Sequence, residues 1–133
     1  QYECEEWIKK LGAQDYIDLL GWIDHSDLKN YTNKWKFLLF PTDTEGMPNG
    51  LIEMMGNGIP AIATAVGGIG DILQDMENGI VLEDGSAKAI TNGIEKAILT
   101  PEGAYQEMAG NAIATVTCEF TLEEAQKSAS KYL

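Results

Sequence analysis

Three short apolar runs, Trp35-Lys-Phe-Leu-Leu-Phe40, Ala61-Ile-Ala-Thr64 and Ile80-Val-Leu82, are each followed by a segment that reads as helix. Strands joined through a helix run parallel, because two parallel strands need a long crossover between them. The alternation therefore predicts an α/β, Rossmann-like parallel sheet with flanking helices. A further strand is predicted near Tyr16 to Ile23, which brings the visible strands to about four, and Trp35 to Phe40 is compact enough to be buried on both faces.

The helices follow from spacing and punctuation. Cys4, Trp7, Ile8 and Leu11 place an amphipathic helix over residues 2 to 12, stopped by Gly12. Asp24 or Ser26 is expected to cap a short helix through about Asn33. The next helix begins near Pro48 or Asn49, with Leu51, Ile52 and Met55 as its apolar face and Gly56 to Gly58 as its end. Gly67-Gly68 forms a turn before a short helix near Asp71 to Asp75, and Asn78-Gly79 turns into the strand at Ile80. A helix from Ser86 carries Ile90, Ile94 and Ile98 and stops at Thr100-Pro101; a second carries Tyr105, Met108, Ala109, Ala112, Ile113 and Val116. Thr121-Leu-Glu-Glu124, a capping-box pattern, opens a third that continues to the end. These stripes read as core. With no repeat, low-complexity segment or linker, residues 1–133 read as one domain.

Composition removes several function classes. The 133 residues carry 21 acidic side chains against nine lysines and no arginine, a net charge of -12, so no nucleic-acid partner is expected. Acids spread through helices, as at Glu3, Glu5, Glu6, Glu123 and Glu124, read as solvated surface. The apolar runs are too short to span a bilayer, and Gln1 in place of Met reads as truncation. Cys4 and Cys118 match neither a metal nor a disulfide spacing and read as reduced, core or half-buried residues of a cytoplasmic protein. His25, the single histidine, reads as a surface or cap residue, so no metal site and no Ser-His-Asp triad is expected.

In an open parallel sheet, ligands sit beyond the carboxyl ends of the strands. The loop after Phe40 is the richest there, with Asp43, Thr44, Glu45 and Gly46 leading to a helix whose first N–H groups, around Asn49 to Leu51, can face an anion such as a diphosphate. Gly46 and Gly50 admit close backbone approach, and Pro48 sacrifices no hydrogen bond at a first helical turn. Glu45 and Glu53 would accept hydrogen bonds from hydroxyls at either end of a polar ligand. Without their surroundings they read as two solvated acids flanking a turn.

Their surroundings carry a resemblance. Phe40-Pro-Thr-Asp-Thr-Glu-Gly-Met-Pro-Asn-Gly-Leu-Ile-Glu53 resembles the E-x7-E segment of retaining GT-B glycosyltransferases, close to the family 4, or group 1, pattern. Gly58-Ile-Pro-Ala-Ile-Ala-Thr64 resembles that family's Gly-x-Pro strand, Val66-Gly-Gly-Ile-Gly-Asp71 its Gly-Gly turn, and Asn78-Gly-Ile-Val81 its next strand entry; Gly21 ends an earlier element in the same way. The resemblance implies the C-terminal donor-binding domain of such an enzyme, which transfers a sugar, with retention at the anomeric carbon, from a nucleotide-diphosphate sugar to a glycan, lipid or other acceptor. It implies no required metal or other cofactor.

Carried over residue by residue, it gives Glu45 the catalytic position at the donor sugar and Glu53 the ribose hydroxyls. Gly46, Met47, Pro48, Asn49, Gly50 and Leu51 would lie along the sugar and diphosphate, and Gly67 and Gly68 would shape the neighbouring wall, for which a plain turn role is the equal alternative. Asp71 reads as a helix-start residue.

The pattern also uses an upstream Arg and Lys against the diphosphate. Lys9, Lys10, Lys29, Lys34 and Lys36 do not match that motif. Aligned to the family, Tyr16 to Ile23 is the third strand of the domain in the order 3-2-1-4-5-6. The first two strands would precede Gln1, and their gap would be closed in the parent protein, by direct strand pairing, or by self-association. The acceptor would bind through an N-terminal domain, cytoplasmic or peripheral to the inner membrane in the whole protein, and this chain alone is expected to be inactive. A GT-B-type nucleotide-sugar epimerase and a non-catalytic module of the same fold are the alternative readings.

Overall fold

The computed structural model describes residues 2–120, which fall into two compact units, one ending at Lys34 and one starting at Trp35. The expected third C-terminal helix, with Thr121, Glu123 and Glu124, lies outside the described residues.

In the first unit, α1 (Tyr2–Lys10) ends as its spacing predicts: Gly12 takes a positive φ of 66°, and the Ala13 N–H returns to the Ile8 carbonyl at 3.0 Å. No residue of α1 is buried, and the Cys4 thiol is free and exposed. The strand expected near Tyr16 to Ile23 is not formed. No ladder partner joins this segment among the described residues, and Tyr16 and Trp22 stand 87% and 92% exposed. A strand exists only through its neighbours, so an apolar run without them is not one. Neither Asp24 nor Ser26 caps α2 (Lys29–Thr32). Its N-cap is Leu28, with no side-chain bond, because the Asp24 and His25 carbonyls have already started turns with the N–H groups of Asp27 and Leu28.

The second unit holds a three-stranded parallel sheet in the order β1 (Leu38–Phe40), β2 (Ala61–Thr64), β3 (Gly79–Leu82). Phe40 lies opposite Ala63, and Thr64 opposite Leu82. All four residues of β2 are buried. β1 is not buried on both faces as its sequence suggests: it pairs with β2 alone among the described residues, and Leu39 is 41% exposed. An edge strand keeps one side open whatever its composition.

α3 (Asn49–Gly56) joins β1 to β2, and α4 (Ile69–Ile72) lies between β2 and β3. α4 starts straight after Gly68, earlier than Asp71 to Asp75. Leu73 turns extended, and Asp75 instead accepts the Val81 N–H at 2.9 Å, so that acid serves the entry to β3. α5 (Ala87–Leu99) is capped by Ser86, whose hydroxyl accepts from the Ala89 N–H at 3.2 Å, and α6 (Glu102–Glu119) follows.

The period-two alternation of the strands divides the core. Ala61 and Ala63 pack with Leu51, Met55, Ile69, Ile72, Leu73 and Ala112 on one side; Ile62 packs with Ile80, Leu82 and Met108 on the other. Each fully buried large side chain in such a layer contributes about 1.5–3 kcal/mol. The helix stripes are only partly core. Ile98 is 75% exposed, and Ile94 and Ile113 are also exposed, because periodicity marks an apolar face without supplying what covers it. Cys118, in the last turn of α6, is exposed too.

Candidate functional site

The carboxyl end of the sheet gathers three loops. The first leaves β1 at Pro41 and reaches the N-terminus of α3, whose N-cap, Pro48, is extended (φ -75°, ψ 113°) and offers no side-chain bond. Leu51 and Ile52 both donate their N–H to the Pro48 carbonyl, at 3.1 and 3.2 Å. Of the amides expected to face a ligand, the Leu51 N–H is therefore engaged, and proline has none to give. Those of Met47, Asn49 and Gly50 make no hydrogen bond among the described residues. Helix-terminal N–H groups of this kind carry a partial positive charge suited to an anion. A Cβ on Gly46 or Gly50 would meet no atom within 4 Å, so the backbone at both is open to approach.

The second loop, after β2, lies against the first. Gly67 has a positive φ of 52°, and a Cβ there would sit 1.8 Å from the Glu45 carbonyl oxygen. One on Gly68 would sit 2.6 Å from the Gly46 carbonyl oxygen. The Gly68 N–H donates to that same oxygen at 2.7 Å. Gly67-Gly68 is thus a close backbone contact that holds the segment from Glu45 to Met47. Asp71, on α4, is exposed; its N–H donates to the Gly68 carbonyl at 3.3 Å, and its carboxylate makes no hydrogen bond or ion pair among the described residues.

The third loop, after β3, brings Gly85 near Asp43: a Cβ on Gly85 would lie 3.0 Å from the Asp43 Oδ1. In the same loop Asp84 Oδ1 accepts the Ser86 N–H at 2.8 Å, and hydrogen bonds from the Ser86 side chain and backbone hold the Asp84 carboxyl below the usual carboxylate range. Glu45 is half-buried, and its carboxylate has no hydrogen-bond or ion-pair partner among the described residues. Glu53 is half-buried one turn into α3. The three loops therefore present carboxylates and helix N–H groups, but no lysine. Lys36 is bound to Glu102 at 2.9 Å and Lys96 to Asp75 at 3.5 Å.

One feature was not legible in the sequence. Thr64, 3% exposed at the end of β2, accepts the Thr42 N–H at 3.1 Å and donates its own proton to the Thr42 carbonyl. A separate apolar cavity of about 330 Å³ lies near the amino end of β1, between Phe37, Ile62, Ile98 and Tyr105. Its cation, Lys36, is engaged with Glu102 and lies over the Tyr105 ring at 5.0 Å, which leaves no convergent polar groups for a ligand.

The chain is similar to known proteins in sequence and in fold. Residues 1–115 match the family of glycosyl transferases group 1. One subunit of the human phosphatidylinositol N-acetylglucosaminyltransferase is 33% identical over 94 residues, 71% of this chain and 19% of that protein. The structure of sucrose-phosphate synthase from Thermosynechococcus elongatus superposes with a TM-score of 0.83 at 26% identity, covering 98% of this chain and 33% of that one. Anabaena HepE, in complex with UDP and glucose, superposes equally well (TM-score 0.83) at 21% identity, over 98% of this chain and 35% of that one, and shares the fold. The chain thus spans between a fifth and about a third of these three proteins. With a parallel sheet whose carboxyl-end loops hold Glu45, the α3 N-terminus and Gly67-Gly68, the chain belongs to the group 1 glycosyl transferases.

Proposed function

We propose that this chain is the donor-binding part of a retaining glycosyltransferase that moves a sugar from a nucleotide-diphosphate sugar to a glycan, lipid or other acceptor. The observation that carries this reading is the N-terminus of α3, uncapped by any side chain and flanked by the half-buried Glu45 and Glu53. A nucleotide-diphosphate sugar has the matching layout: hydroxyls at each end and negative charge between. Glu45 takes the sugar hydroxyls, Glu53 the ribose hydroxyls, and the amides of Met47, Asn49 and Gly50 the oxygens of the diphosphate or sugar. Gly67 and Gly68 form the adjoining wall.

The structure of HepE with UDP-glucose supports this class of donor through the shared fold. No lysine of the described loops offsets the diphosphate charge, so the remaining cations and the acceptor site belong to other parts of the whole protein. Catalysis there rests on positioning and on stabilising charge as the leaving nucleotide departs. The parent protein, given its nucleotide sugar with an acceptor, is expected to yield a glycoside whose anomeric configuration matches the donor's, as followed by proton NMR. An inverted product would contradict retention; conversion of the donor into a different nucleotide sugar without acceptor would identify an epimerase instead.

A further inference from the structure

We propose that Thr64 is a positioning residue that fixes Glu45 toward the donor sugar, an inference that rests on the role assigned to Glu45 above. In the parallel ladder between β1 and β2, alternate residues of β1 donate toward β2, Leu38 to the Pro60 carbonyl at 3.0 Å. The Pro41 nitrogen therefore faces away, and the next donor in register is the Thr42 N–H, just past the last paired residue, Phe40. The Thr64 hydroxyl, rather than a backbone carbonyl, receives that N–H. It accepts the Thr42 N–H at 3.1 Å and donates to the Thr42 carbonyl, so one buried oxygen binds both polar groups of a single residue across 22 positions of chain.

Asn78, also buried, differs. Its side chain binds Gln74 and Ile72 in its own turn and Thr115 on α6, away from the three loops. Thr64 instead grips the segment that carries Glu45. That segment is gripped again at Gly46, whose carbonyl accepts the Gly68 N–H at 2.7 Å. Glu45 therefore lies between two anchors, both supplied by the chain running from β2 to α4. Loss of the first frees Thr42 to Glu45 while leaving the second in place.

Thr64→Val keeps the branched shape and removes the hydroxyl; Thr64→Ala removes it without an added apolar branch; Thr64→Ser keeps it. In this chain, Val and Ala are expected to accelerate amide hydrogen exchange at Thr42 about tenfold or more, with Ile62 and Ile80 unchanged, and Ser is expected to restore the slow rate. Titrated with UDP-, GDP- and ADP-glucose, Val and Ala weaken the sugar nucleotide that binds best by about tenfold, while the matching nucleoside diphosphate, which does not reach Glu45, binds as before. A merely structural hydroxyl would leave that difference unmoved. Unchanged exchange at Thr42 overturns the clamp. Faster exchange with unaltered sugar-nucleotide affinity overturns its action through Glu45. Failure of the unsubstituted chain to bind any of the nucleotides overturns the donor-site reading and the positioning role with it, while the exchange result still decides whether the clamp exists.

Discussion

Glu45→Ala in the transferase that contains this chain is expected to lower kcat by about 10²–10³-fold with little change in KM for the donor. Glu53→Ala is expected to raise that KM by about tenfold and leave kcat nearly intact. The two acids differ in what they meet, although both are half-buried and seven residues separate them. On the proposed reading, Glu45 would sit at the sugar, where charge develops as the glycosidic bond breaks, so its loss would fall on the transition state. Glu53 sits on α3 itself and, on the same reading, would hold ribose hydroxyls that do not react, so its loss would fall on ground state and transition state alike. Steady-state kinetics with the donor varied at saturating acceptor separates the two. Equal effects on kcat from both substitutions would contradict the assignment.

Gly67→Ala is expected to destabilise the chain by about 2 kcal/mol or more, whereas Gly110→Ala is expected to stabilise it by about 0.5–1 kcal/mol. At Gly67 two costs add. A side chain at a φ of 52° is strained by about 1–2 kcal/mol, and its Cβ would overlap the Glu45 carbonyl oxygen at 1.8 Å, forcing one loop off the other. Gly110 lies inside α6 with nothing within 4 Å of a new Cβ, so only the helix preference of alanine acts there. Urea unfolding of the two variants gives the comparison. A Gly67→Ala protein as stable as the unaltered chain would show that the loops from β1 and β2 are not in register as described.

The parts of the fold that were legible in the sequence are those set by local chemistry. Ala61 to Thr64 and Ile80 to Leu82 form strands where their apolar runs say so; Gly12 ends α1, and Ser86 caps α5. The loop and helix from Thr42 to Glu53 were legible because Gly46, Pro48 and Gly50 punctuate them, and the N-terminus of α3 falls where Pro48 places it. What was not legible depends on partners distant in sequence. The apolar residues near Tyr16 to Ile23 have the composition of a strand, but pairing is a property of neighbours, and none is present among the described residues. Ile94 and Ile98 hold a helical spacing that says nothing about cover. The hydrogen bonds between Thr64 and Thr42 exist only because β1 and β2 align Phe40 with Ala63, a register that neither segment encodes alone.

The charge at the site was legible only in part. That the chain has no arginine is plain from composition, but composition does not show where its lysines are spent. Lys36 and Lys96 are tied to Glu102 and Asp75, on parts of the fold that do not meet the ligand loops. On the proposed reading, the three described loops would offer the diphosphate of a donor helix N–H groups and no lysine, and its sugar and ribose ends carboxylates.

The central claim, that the loop from Thr42 through the start of α3 receives a nucleotide sugar, is tested most directly by titrating isotope-labelled chain with UDP-, GDP- and ADP-glucose and following backbone amide shifts by NMR. The largest shifts are expected at Met47, Asn49 and Gly50, with smaller ones at Glu45, Glu53, Gly67 and Gly68. Shifts confined to the cavity around Phe37 and Tyr105, or none with any of the three nucleotides, would contradict it.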